Sequence, residues 1–182
     1  MLQKGMTKVE IEKDLEGKGD FVKIDHLKRF LEQDIAFETK KFVYFKLAEI
    51  YEKKGMFNDA GKIYENISML STSFSEKIQD YVKGAELYIK GGFFNRADES
   101  IKKAFSQANL AQKADIYIAI KNFYKRQAEV YERELRRSHA VKIYEKLLTM
   151  KISESEKQEI KDKLINLYEK LGRIKEYYAL RK

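Results

Sequence analysis

The reading of this chain turns on residues 44–67, YFKLAEIYEKKGMFNDAGKIYENI. Tyr44, Leu47, Ala48 and Tyr51 recur at i, i+3, i+4 and i+7, the spacing of one face of a helix. Lys46, Glu49 and Lys53 occupy the opposite side of the same segment. Gly55 then interrupts the pattern, and Phe57, Ala60, Tyr64 and Ile67 begin a second apolar stripe. Two amphipathic helices joined by a glycine turn make an antiparallel hairpin.

The same unit returns along the chain. A shift of 37 residues gives Tyr81, Gly84, Ala85, Tyr88, Gly92, Phe94, Ala97, Ile101 and Ala104. A further shift of 43 gives Tyr124, Gln127, Ala128, Tyr131, Leu135, Arg137, Ala140, Tyr144 and Leu147. A clipped unit follows at Leu164, Ile165, Tyr168, Gly172 and Ile174, and a degenerate one precedes at Leu15, Gly19, Phe21, Ile24 and Leu31. Small residues let paired helices approach, and aromatics fill the space between hairpins. No hairpin buries its apolar face alone, so such units stack.

The pattern predicts ten helices, over 7–17, 21–34, 38–54, 57–70, 74–90, 94–108, 110–134, 137–149, 154–170 and 174–181. Four cap pairs mark starts: Thr7 with Glu10, Ser73 with Glu76, Asn109 with Gln112, and Ser153 with Glu156. In each, the cap side chain can accept an end amide while its partner reaches back. Strand alternation and hairpin dipeptides are nearly absent.

Composition narrows the rest. The chain has 182 residues, no Pro, Cys or Trp, but 12 Tyr and 11 Phe. Collagen-like and proline-rich classes, disulfide scaffolds, cysteine metal sites and thiol nucleophiles are excluded. With 43% apolar residues it is no disordered tail. The N-terminus has no apolar signal core, and no stretch approaches the roughly 18 apolar residues of a spanning helix. The expectation is a cytoplasmic protein with no membrane span. The net charge of +8 favours acidic partners, but only eight of the 37 basic residues are Arg, the better fork for phosphate.

This small–Tyr–Gly–aromatic–Ala–Tyr register resembles the tetratricopeptide repeat (TPR) family. The match covers residues 44 to about 147 well and the ends loosely. The spacings of 37 and 43 exceed the family's roughly 34, and there is no terminal proline, so the resemblance leans to longer-helix relatives. It implies an all-α fold: a right-handed α-solenoid of about five antiparallel hairpins, one domain over 1–182. The best repeats are 38–70, 74–108 and 110–149, with degenerate ends at 1–34 and 154–182.

The resemblance also implies that the first helix of each hairpin lines a concave face. The inward positions read Lys46, Glu49, Lys53, then Lys83, Glu86, Lys90, then Arg126, Glu129, Arg133; the fourth unit gives Lys163, Asn166, Lys170. A basic–acidic–basic ladder has two readings. It is a solvated face held by favourable helix pairs, or a groove that steers an acidic segment or chain carboxylate. A further basic cluster spans Lys121 to Lys146.

Enzyme chemistry finds little support. His26 and His139 are isolated, there is no nucleotide-binding glycine loop, and no carboxylate pair stands out. No metal or cofactor is expected. The reading is a non-enzymatic protein–protein interaction module, an adaptor or scaffold that binds a protein segment in a groove. The alternative is a nucleic-acid-binding helical repeat using Lys and Arg.

Overall fold

The computed structural model describes residues 2–181. Among these there are ten helices and no strand: α1 (Lys8–Leu15), α2 (Asp20–Leu31), α3 (Phe37–Lys53), α4 (Phe57–Leu70), α5 (Phe74–Gly91), α6 (Phe94–Gln107), α7 (Leu110–Arg133), α8 (Arg137–Leu148), α9 (Glu154–Lys170) and α10 (Ile174–Leu180). Most ends fall within a residue of the predicted ones. α2 stops three residues early, where the Gln33 amide turns back to the Phe30 carbonyl at 3.2 Å.

Three of the four cap pairs are reciprocal. Thr7 with Glu10 and Ser153 with Glu156 form capping boxes. Asn109 and Gln112 exchange two bonds of 2.9 Å. At Ser73 only half forms: Ser73 accepts from the Glu76 amide at 3.1 Å. The Glu76 carboxylate is drawn instead to Lys41 on α3, at 3.0 Å. The equivalent Glu156 keeps its cap bond to the Ser153 amide through one carboxylate oxygen while the other meets Lys121 and Lys125, so the pair with Lys41 goes with the lost half-cap at Ser73 without by itself requiring it.

Four turns close in one way. An amide just past the helix donates to the carbonyl of a tyrosine five residues back: Met56 to Tyr51, Phe93 to Tyr88 and Arg136 to Tyr131 at 2.8 Å, and Arg173 to Tyr168 at 2.9 Å. This bond needs a left-handed residue before the donor. Gly55, Gly92 and Gly172 supply it at φ of 71°, 78° and 67°. The third turn holds Leu135 at φ 58° instead, 70% exposed. A side chain in that region costs roughly 1–2 kcal/mol, part of which glycine's unfolded freedom takes back. Leu135→Gly should therefore stabilise its unit by about 1 kcal/mol. A thermal midpoint at or below that of the parent would contradict this.

The chain divides into two compact units, Met1–Lys113 and Ala114–Lys182. In the first, α2 packs on α3, α3 on α4, α4 on α5, and α5 on α6. Its core runs continuously from Leu2 and Ile11 through Phe30, Leu47 and Ile67 to Leu87. Each such side chain is worth about 1.5–3 kcal/mol of burial. α4 and α5 meet most closely, at Gly61 and Gly84. A Cβ on Gly61 would stand 2.6 Å from the Tyr88 ring, and one on Gly84 would stand 3.4 Å from the Gly61 carbonyl oxygen.

In the second unit, α8 packs on α9 and α9 on α10. α7 and α8 are joined by the Tyr144 hydroxyl, which donates to Glu132, and by the Tyr131 ring lying 5.2 Å from His139. The repeat alanines Ala48, Ala60, Ala85, Ala97, Ala128 and Ala140 are all buried. Among the described residues, no helix is long and apolar enough to cross a membrane.

Candidate functional site

The ladder residues of the first unit come from α3 and α5. Lys46 bonds Glu12 of α1 at 2.7 Å and lies 3.6 Å from Glu49. The Glu12 bond holds its ammonium above the ordinary lysine range. Lys53 is largely exposed and lies 3.8 Å from Asp20, which Lys54 approaches to 3.4 Å. On α5, Lys83 and Lys90 flank Glu86 at 3.2 and 3.4 Å.

Both α5 lysines also reach across to Glu52 of α3, at 3.5 and 3.1 Å. Burial opposes charge on Glu52, but the two ammonium groups outweigh it and hold its carboxyl below the ordinary range. The α5 row is therefore tied to α3 by charge, with α4 between them in the chain. In the second unit, Arg126, Glu129 and Arg133 are exposed along α7, and the Arg126 guanidinium lies 5.1 Å above the Phe123 ring.

Glu52 escaped the sequence reading because it sits between two positions already assigned, Tyr51 and Lys53. The repeat carries the signal that finds it. Eighty residues on from Glu52 and Lys83 stand Glu132 and Lys163, paired at 3.9 Å. The same shift converts Lys41–Glu76 into Lys121–Glu156, at 3.0 and 2.9 Å. It also converts the Tyr88–Glu65 hydrogen bond, 3.0 Å, into Tyr168–Glu145, 2.8 Å. Each unit thus carries the same three ties, two between the first helices of adjoining hairpins (α3 to α5, α7 to α9) and one between successive helices (α4 to α5, α8 to α9). Glu156 gathers the most: Lys125, Lys121 and the Ser153 amide bring its carboxyl down to about 2.

An open hollow of about 550 Å³ lies between α1, α2 and α3. Val9, Leu15 and Ile50 give it apolar surface, while Lys23, Lys46 and Glu49 line it with charge. Its volume falls in the range of ligand pockets. It brings Lys46 and Glu49 of the ladder together with side chains of α1 and α2 that the ladder did not include.

The histidines are less isolated than their sequence positions suggest. His26 Nδ1 lies 3.5 Å from Lys18 and 3.8 Å from Asp14. His139 is pushed below the ordinary range by burial first, then by Arg136 and Lys142. Among the described residues, no three His, Cys, Asp or Glu side chains are grouped to hold a metal ion.

Comparison with protein-family models, curated proteins and solved structures finds no match to this chain.

Proposed function

We propose that this protein is a non-enzymatic interaction module of the TPR-like, longer-helix kind, which takes a protein segment along the charged faces of its first-of-hairpin helices. In this reading the hairpins stack in the right-handed sense, five in all. The observation that carries it is the hollow between α1, α2 and α3. Two ladder residues picked from repeat register, Lys46 and Glu49, line a concavity together with the apolar Val9, Leu15 and Ile50. A solvated charged stripe has no need of apolar neighbours in a hollow. Charge around an apolar socket is how a groove fixes both the register and the anchor of a bound segment.

Nucleic acid fits less well. Lys46, Lys53, Lys83 and Lys90 each lie within 4 Å of a carboxylate, so these rows present alternating charge and no continuous basic track. Counterion release on phosphate needs cations that are free to trade partners.

The test is affinity capture from native lysate with the full chain and with a Lys46→Gln, Lys83→Gln, Arg126→Gln variant. Glutamine removes the charge and leaves a shorter polar side chain that still prefers a helix. The expected result is unchanged helicity by circular dichroism and loss of the captured proteins. Retention of those proteins would remove these residues from the site. Recovery of nucleic acid alone, with a steep salt dependence, would favour the alternative.

A further inference from the structure

Among the described residues, Asp80 is the one acidic side chain buried in the core, at 9% exposure. The repeat shows how unusual that is. Ser73, Lys83 and Tyr88 fix the alignment of α5 with Ser153, Lys163 and Tyr168 of α9, and the residue equivalent to Asp80 is then Ile160, also buried. A carboxyl has replaced an aliphatic side chain at a packing position.

Its partner is equally particular. Ser71 caps the end of α4 and is itself buried. Its hydroxyl oxygen lies 2.7 Å from Asp80 Oδ2 and 3.2 Å from the Ile67 carbonyl. A hydroxyl has a single proton, while both neighbours are acceptors if Asp80 is ionised. Both contacts are full hydrogen bonds together only when the carboxyl brings a proton of its own. Asp80 then donates to Ser71, and Ser71 donates to Ile67. At the equivalent of Ser71 the second unit has Lys151, exposed and unable to build this relay.

We propose that Asp80 is a proton-operated latch between the end of α4 and the body of α5, closed when its carboxyl is protonated and loosened when it ionises. The charged groups acting on it are Lys41 of α3, which favours ionisation, and Glu76 of α5, which opposes it; the Tyr64 phenol of α4 feels its charge in turn. Burial is the largest influence and raises the carboxyl above its ordinary value, against the Ser71 bond and Lys41. The folded protein then holds this proton more tightly than the unfolded chain. The latch's contribution is complete below the ordinary aspartate value and is lost as pH climbs through the raised one.

The test is a carbon-13 titration of the Asp80 carboxyl in the full chain, with amide exchange of residues 67–80 followed over the same pH range. The expected result is a midpoint above the ordinary aspartate value. Protection corrected for intrinsic exchange should fall with rising pH, by about tenfold per unit of that elevation. Asp80→Asn, whose amide can donate to Ser71 at any pH, should flatten the profile. A midpoint at or below the ordinary value overturns the latch, as does protection in the parent that is insensitive to pH. The titration needs no variant, so it decides even if Asp80→Asn fails to fold.

Discussion

Gly61→Val should destabilise the first unit by about 3 kcal/mol, the upper part of the range for overpacking a filled core. A β-carbon alone at this position would lie 2.6–2.9 Å from three atoms of the Tyr88 ring. That ring has little room to retreat. It is buried, and its hydroxyl donates to Glu65 at 3.0 Å. Behind Gly61, Gly84 lets α5 come within van der Waals distance of the Gly61 carbonyl. Replacing glycine inside a helix returns only a few tenths of a kcal/mol for valine, too little to offset the clash.

The repeat provides the contrast. The equivalent residue in the second unit is Val141, fully buried beside α9, with Leu164 in place of Gly84. The two units thus solve one packing problem with different residue sizes, and their side chains are not interchangeable. Because the chain has two units, a single unfolding free energy is poorly defined. The loss should be read from amide exchange in α4 and α5 against α8 and α9. Unchanged protection in α4 and α5 would mean that the Tyr88 ring swings aside at little cost.

Tyr168→Ala should cost the second unit about 3–4 kcal/mol, as for other buried aromatics cut to a methyl. Tyr168 is 5% exposed, its hydroxyl donates to Glu145 at 2.8 Å, and the Arg173 guanidinium stands 4.8 Å over its ring. Tyr168→Phe removes only the hydroxyl and should cost about 1 kcal/mol, since Glu145 keeps Arg173 at 3.4 Å. Urea unfolding followed by exchange in α8 and α9 separates the two variants; equal losses would mean that the hydrogen bond, and not the ring, holds the hairpins together.

The same side chain predicts an alkaline signature. Burial, then Glu145, pushes the phenol up from 10.0 to about 12. The folded state therefore holds the phenol proton more tightly than the unfolded chain. Its contribution is complete below about pH 10 and declines as pH rises through about 12. Tyr168→Phe should remove that part of the decline.

Most of the local structure can be read from the chain. Helix positions follow from periodicity, because a buried stripe imposes the 3.6-residue period on whatever sequence forms it. The turns follow from glycine at the left-handed position, and Leu135 shows that even the exception obeys the same geometry. The Ser73 cap is where this reading falls short. A cap is local, but the Glu76 carboxylate turns to Lys41 of α3 while the equivalent Glu156 holds both its lysines and its cap, and sequence spacing alone does not distinguish the two.

The candidate site divides in the same way. Which residues carry charge on the faces of α3, α5 and α7 was legible at i, i+3 and i+7, since those positions share a helix face in any fold. Their partners were not. Glu12 meets Lys46, and Glu52 meets Lys83 and Lys90, across 31 to 38 residues of chain.

By itself, the sequence determined the helices, their turns and the repeat, because these depend on contacts within a few residues. Only the tertiary structure decided which carboxylates neutralise the ladder, that a hollow opens beside Lys46, and that Asp80 lies in the core. Those outcomes depend on which helix faces meet and how closely. Small differences in side-chain volume at positions such as Gly61 and Gly84 set that distance, and no local rule contains it.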